Sequence, residues 1–244
     1  MVERTVVYFE RPGKGNTEET IRAVRAYVTA GHEVEALVVA SMTGQTAAKA
    51  KHALGDLAVP VVCVTGPPGW QVLPGYQFPL IPPERRRELE EAGVTIVDCV
   101  PSTLSDTIEF SYARYGFRSP TWMVVETLLA IGGYGLKTAV ECAVMATDGS
   151  FVAPFREIVA MAGTDTGADT AVVMRSTFSS TIFSSDPPGT RPSTEPSAQG
   201  KASGRSRRRE AGPRAISDGG TTWRRRRRRW PRRPCEPSVS SDRC

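Results

Sequence analysis

Histidine is nearly missing from this chain, which holds two in 244 residues, His32 and His52. That scarcity takes away the commonest general base and the commonest zinc ligand. Both fall at the ends of amphipathic segments, where an imidazole ordinarily faces solvent. Cys-x-x-Cys, His-Glu-x-x-His and Gly-x-Ser-x-Gly are also missing, so zinc modules, metalloproteases and α/β-hydrolases have no motif behind them. A metal held by the protein is not expected. Of the five cysteines, Cys63, Cys99 and Cys142 stand far apart in apolar contexts, and Cys235 and Cys244 stand near the end. That spacing suits reduced thiols rather than a disulfide framework. No uninterrupted apolar run approaches the ~18 residues that a bilayer span needs, and the opening lacks the basic, apolar and small-residue succession of a secretory signal. The expectation is a cytoplasmic protein with no membrane partner.

Charge is plentiful but unevenly placed. Up to Phe183 the chain has 15 Lys and Arg against 20 Asp and Glu, whereas from Ser184 onward it has 16 against 6. The overall net charge of +5 thus hides an acidic body and a basic tail. The tail is rich in Pro, Gly, Ser and Arg, with six consecutive arginines at 224–229 between Trp223 and Trp230. It offers almost nothing that could be buried, so residues 179–244 read as a disordered low-complexity segment. The same bias is what an out-of-frame translation of a GC-rich gene produces. Arginines between tryptophans also invite contact with nucleic acid, but no RNA-binding fold accompanies them and that partner is not expected.

Residues 1–178 read as one α/β domain. Residues 5–9 form an apolar, β-branched and aromatic run that predicts a first strand. Asn16 with Glu19 three residues on predicts a capping box for the helix carrying Ile21, Val24 and Val28, and Gly31 a stop. Residues 35–40 and 60–65 predict two strands, the second apolar throughout as a strand covered on both faces should be. A helix is expected between them over residues 43–54, with Thr43 or Thr46 as its cap. Residues 66–79 are too rich in proline and glycine for a regular element, and a loop of that length suits a lid or a homo-oligomer contact. Trp70, Tyr76 and Phe78 could pack it down. A charged helix over 85–91 and a strand over 94–97 follow. Helices over 122–131 and 136–146 are separated by Gly132 and Gly133, and strands close the domain at 157–162 and 170–174. This alternation predicts an α/β fold, a three-layer α/β/α sandwich on a mostly parallel sheet, with at least one of the last two strands open to an antiparallel placement.

Two loops stand out because each is small, polar, glycine-containing and preceded by an apolar strand. One is Ser41, Met42, Thr43, Gly44, Gln45 and Thr46; the other runs over 163–169 and holds Gly163, Thr164, Asp165, Thr166, Gly167 and Asp169. Loops at the carboxyl ends of parallel strands share one crevice, and a helix beginning there presents free amides to an anion. Asp165 and Asp169 would repel a phosphate unless they are occupied by hydroxyls, a cation or Arg175. Arg11 and Lys14, after the expected first strand, are either further positive charge for that crevice or ordinary surface residues. Glu141, in an apolar helix beside Cys142, is either a solvent-facing carboxylate or a functional one.

These stretches resemble a known family. Residues 8–20, 38–47, 140–148 and 162–171 are similar to segments of small, free-standing proteins that look like the C-terminal domain of pyruvate kinase, with coverage of about residues 4–178. The resemblance implies a pyruvate kinase C-terminal domain-like fold with a five- or six-stranded, mostly parallel sheet. It also implies that residues 41–46 correspond to the loop that holds the phosphate of a sugar-bisphosphate effector in pyruvate kinases. The stand-alone relatives look like binders of flavin mononucleotide (FMN) or a similar phosphorylated ligand. The barrel domain that performs phosphoryl transfer is missing from this chain, so pyruvate kinase activity is not expected. After about Phe178, where the family would continue in a helix, the sequence departs from the pattern. Binding of a small phosphorylated molecule or nucleotide is the leading expectation. An enzyme on such a substrate, flavin-dependent or not, is the first alternative, with Glu141, Asp165 and Tyr112 as available acids or bases. A structural or homo-oligomeric role is the second.

Overall fold

The computed structural model describes residues 6–72, 79–105 and 108–183. Thr5 of the expected first strand, Tyr76 and Phe78 of the long loop, and the tail from 184 onward lie outside the described residues. All described residues belong to one compact unit.

Five short strands form one mixed sheet: β1 (Leu37–Ala40), β2 (Val61–Val64), β3 (Val94–Val97), β4 (Glu157–Ala162) and β5 (Thr170–Arg175). Their spatial order is β3-β2-β1-β4-β5. The first four run parallel, while β5 turns back antiparallel to β4. In the middle of the sheet Val38 lies opposite Val62 on one side and Ala160 on the other. Alternation along the strands sends Leu37, Val39, Cys63 and Met161 into one core and Val38, Val62, Val64 and Ile158 into a second.

Three helices cover the first core. They are α1 (Thr17–Thr29), α2 (Gln45–Ala53) and α3 (Pro83–Glu91), through Ile21 and Val24, Ala47 and Ala50, and Leu89 respectively. The second core is closed by α4 (Pro120–Asp148) through Ala139, Cys142, Ala143 and Ala146. Helices on both faces and nearly continuous apolar strands are the architecture that the sequence pattern predicts.

Some local expectations fail for identifiable reasons. Residues 6–9 are not in a strand, and Val6, Val7 and Tyr8 are exposed; strand propensity has no effect without a neighbour to complete the ladder. The capping box at Asn16 does not form. A 3₁₀ turn (Lys14–Asn16) precedes α1, the Asn16 amide donates to the Arg11 carbonyl at 2.7 Å, and Glu19 pairs with Arg22 instead. Gly31 does stop the helix, with φ of 87°. The glycine break is also present: Gly132 and Gly133 leave helical geometry inside α4. The whole of α4 is long and apolar enough, by length and composition, to cross a bilayer, despite Glu126, Lys137 and Glu141 interrupting its apolar run. Its second half is nevertheless core, since residues 139 and 141–147 are buried against the sheet.

Leu89 is the buried residue of α3 and joins that helix to the first core. Leu89→Ala should lower unfolding free energy by about 2–5 kcal/mol, read as a shifted midpoint in urea denaturation with an unchanged slope.

Candidate functional site

Because β1 to β4 are parallel, the connections that follow each of them emerge at the same edge of the sheet. The connection after β1 contains residues 41–46. Ser41 is buried, and its hydroxyl accepts hydrogen bonds from the amides of Thr46 at 3.2 Å and Ala47 at 3.5 Å. Ser41 therefore serves the first turn of α2, and neither Thr43 nor Thr46 takes the expected capping role. Gly44 precedes the helix with φ of 77°, and a Cβ there would lie 2.7 Å from Leu89 Cδ1, so both its backbone angle and its close packing require glycine. The Met42 carbonyl accepts from Thr65 Oγ1 at 2.9 Å, which ties this loop to the connection after β2. The amides of Thr43 and Gln45 are not consumed by these contacts.

The connection after β4 contains residues 163–169 and neighbours the first loop because β4 pairs with β1. Its organiser is Asp169. The Oδ2 atom accepts from the Gly13 amide at 2.8 Å, the Thr164 amide at 3.1 Å and the Thr164 hydroxyl at 2.7 Å, and Oδ1 accepts from Thr170 Oγ1 at 2.9 Å. Burial pushes this carboxyl upward, but the donors from Thr164, Thr170 and Gly13 outweigh it, and Asp169 lies below the usual carboxylate range. The loop also rests on the start of α1, where Thr17 Oγ1 accepts from the Ala168 amide at 2.9 Å and donates to the Lys14 carbonyl at 2.8 Å. Thr164, Asp165 and Thr166 are exposed at the tip, and Lys14 and Arg11 are exposed on either side of Gly13, whose amide reaches Asp169.

A third polar cluster lies after β3. Glu141 is buried on α4, not solvent-facing, and accepts from the hydroxyl of Ser102, the amides of Leu104 (3.3 Å) and Ser105 (2.7 Å), and Lys137 Nζ (2.6 Å). Lys137 also donates to the Ser105 hydroxyl. Burial raises the Glu141 carboxyl, yet the Lys137 charge and the hydrogen bonds from Lys137, Ser102 and Ser105 prevail and hold it below its ordinary value. A carboxylate so stabilised is a poor proton acceptor near neutrality, and its evident effect is to fasten the β3–α4 connection. Lys137 was the missing partner in the sequence reading, although its i,i+4 spacing to Glu141 on an apolar helix was a usable signal.

The other named residues are dispersed. Tyr112 is exposed and meets Phe117 edge to face, His32 stacks on Tyr27 with centroids 4.0 Å apart, and His52 is exposed on α2. Burial drives the thiols of Cys63, to about 12, and Cys142 upward, so neither is a ready nucleophile. A cavity of about 570 Å³ is lined by Cys99, Val100, Ser102, Thr103, Asp148 and Ser179 among others, and one of about 190 Å³ lies between α2 and α3; neither is lined by residues of the two loops. Among the described residues no group of three or more His, Cys, Asp and Glu side chains could hold a metal ion.

No family model matches the chain. Glu141 has a folded-state value below its unfolded one, so its contribution is complete above the unfolded value and is lost as pH falls through the folded value. Glu141→Gln should cost about 3–5 kcal/mol near neutrality by leaving the Lys137 charge buried without its partner. It should also flatten the acid-side loss of stability. Urea midpoints measured from neutral to acid pH check both, and a variant with the parent's midpoints throughout would contradict the assignment.

Proposed function

We propose that this chain binds a phosphorylated small molecule or nucleotide, such as FMN or a sugar phosphate, where residues 41–46 and 163–169 emerge from neighbouring parallel strands. The observation that carries this reading is the pairing of β1 with β4, which sets the glycine-bearing start of α2 beside the glycine-bearing turn before β5. The α2 terminus offers the Thr43 and Gln45 amides to an anion. Asp169 does not oppose the anion as a bare charge, since both of its oxygens are engaged by donors within its own surroundings. Lys14 and Arg11 are exposed on the segment whose Gly13 amide reaches Asp169, and they are the nearby cations this reading would use.

The finer fold assignment, to the pyruvate kinase C-terminal kind, belongs to the same proposal. It is supported by the sequence resemblance and by a five-stranded sheet with four parallel strands and one antiparallel edge. On this reading the phosphate is positioned rather than transferred, and pyruvate kinase activity is absent.

Thermal-shift titration with FMN, a sugar bisphosphate and inorganic phosphate is the test. Saturable stabilisation is expected with at least one of them, amounting to ~2.7 kcal/mol at a hundred times the dissociation constant. Ser41→Ala and Gly44→Ala should weaken the response at least tenfold. Absence of a shift with every one of these compounds would reject the proposal.

A further inference from the structure

The sheet order sets β1 between β4 and β2, so residues 41–46 have a neighbouring connection on each side. The one after β4 is polar. The one after β2 carries an aromatic ring.

Thr65, at the end of β2, donates its hydroxyl to the Met42 carbonyl at 2.9 Å and holds the two connections together. The chain then passes Gly66 into a 3₁₀ turn (Pro68–Val72), in which the Trp70 amide donates to the Pro67 carbonyl at 2.9 Å. A Cβ on Gly66 would lie 2.9 Å from Met42 Cε, 2.9 Å from Trp70 Cε3 and 3.1 Å from Leu80 Cδ2. Three side chains from three connections therefore converge on the one position that has none, and the indole is seated beside the Met42 side chain of the 41–46 loop.

Packing uses only part of this indole. Its Cε3 edge is turned to Gly66 and Leu80, which are buried, while Trp70 as a whole is only half-buried. Met42 and Thr43 beside it are also half-buried, and Gln45 is exposed. A partly open indole next to amides that can receive a phosphate suits a molecule with a phosphate at one end and a flat ring at the other. Stacking of a base on an aromatic side chain tightens binding by about 5- to 150-fold. A sugar phosphate, which brings only C–H and hydroxyl groups to the ring, gains less.

We infer that Trp70 is the specificity-determining residue of this site, and that its ligand is a phosphate ester bearing a planar heteroaromatic ring, as nucleoside monophosphates and FMN do. This rests on the phosphate reading above and adds the part of the ligand that the two loops do not hold.

Isothermal titration calorimetry of the full chain with adenosine monophosphate, FMN, ribose 5-phosphate and inorganic phosphate, in salt high enough to screen the arginine block, is the test. Adenosine monophosphate and ribose 5-phosphate differ only in the base. At least one of the two ring-bearing compounds should bind tenfold or more tightly than ribose 5-phosphate. Trp70→Leu should erase that margin and leave the affinity for ribose 5-phosphate within about twofold of the parent's, whereas Trp70→Tyr, which keeps a ring, should retain most of it. Ribose 5-phosphate binding as tightly as both ring-bearing compounds would overturn the inference and leave the phosphate reading standing. So would a margin that survives Trp70→Leu, or an equal loss with every compound, which marks the indole as packing alone. Binding of none of the four would overturn both.

Discussion

Everything in this domain is arranged around β1, a strand that is paired on both edges and covered on both faces. Leu37, Val38 and Val39 are almost wholly buried, with side chains alternating between the two cores. A strand in that position offers no polar group to water, so each of its backbone amides and carbonyls needs a partner on β2 or β4. That requirement fixes the order of the neighbours, and the order places the connections after β1 and β4 side by side. The convergence of residues 41–46 with 163–169 is thus a product of the sheet, and the side chains there only decide what the convergence can hold.

The polar residues at this edge show how a buried charge is tolerated. Asp169 and Glu141 each gather donors from both near and far along the chain, Thr164 and Gly13 for the first, Lys137 with Ser102 and Ser105 for the second. Each carboxylate ties a connection to a helix or turn that it would otherwise leave loose. The two differ in solvent access: Asp169 is half-buried at the rim, while Glu141 is enclosed with its lysine. The rim residue shapes the proposed ligand shelf, and the enclosed one stiffens the wall behind it.

Much of the architecture was legible in the sequence because apolar runs of strand length alternate with amphipathic stretches, and because glycines at 31, 93 and 132–133 fall where helices end or break. The short connection before β5 left an antiparallel placement open for either of the last two strands, and it is β5 that turns back. What the sequence concealed depends on partners far along the chain. Residues 6–9 have strand composition but no strand to join, a fact held nowhere in their own sequence. Glu141 could be placed only once the β3–α4 connection was known to lie over it. Gly44 takes the N-cap position of α2, and Ser41 at the strand end, rather than either threonine, accepts from its first-turn amides. The loop pair was identified from composition and position, yet the engagement of Asp169 by Gly13 spans 156 residues, beyond any local rule.

The break at Gly132 and Gly133 divides one long helix into parts with different energetic standing. Amides in the second half lie against a core that opens only when the sheet does, so their exchange with solvent requires global unfolding. Those in the first half belong to a segment whose buried residue is Val125 and whose start is held by the Ser119 cap and by Glu109, and they should exchange faster than those of the second half. The helix is continuous in sequence but belongs to two cooperative units, and only the second is part of what holds the domain together.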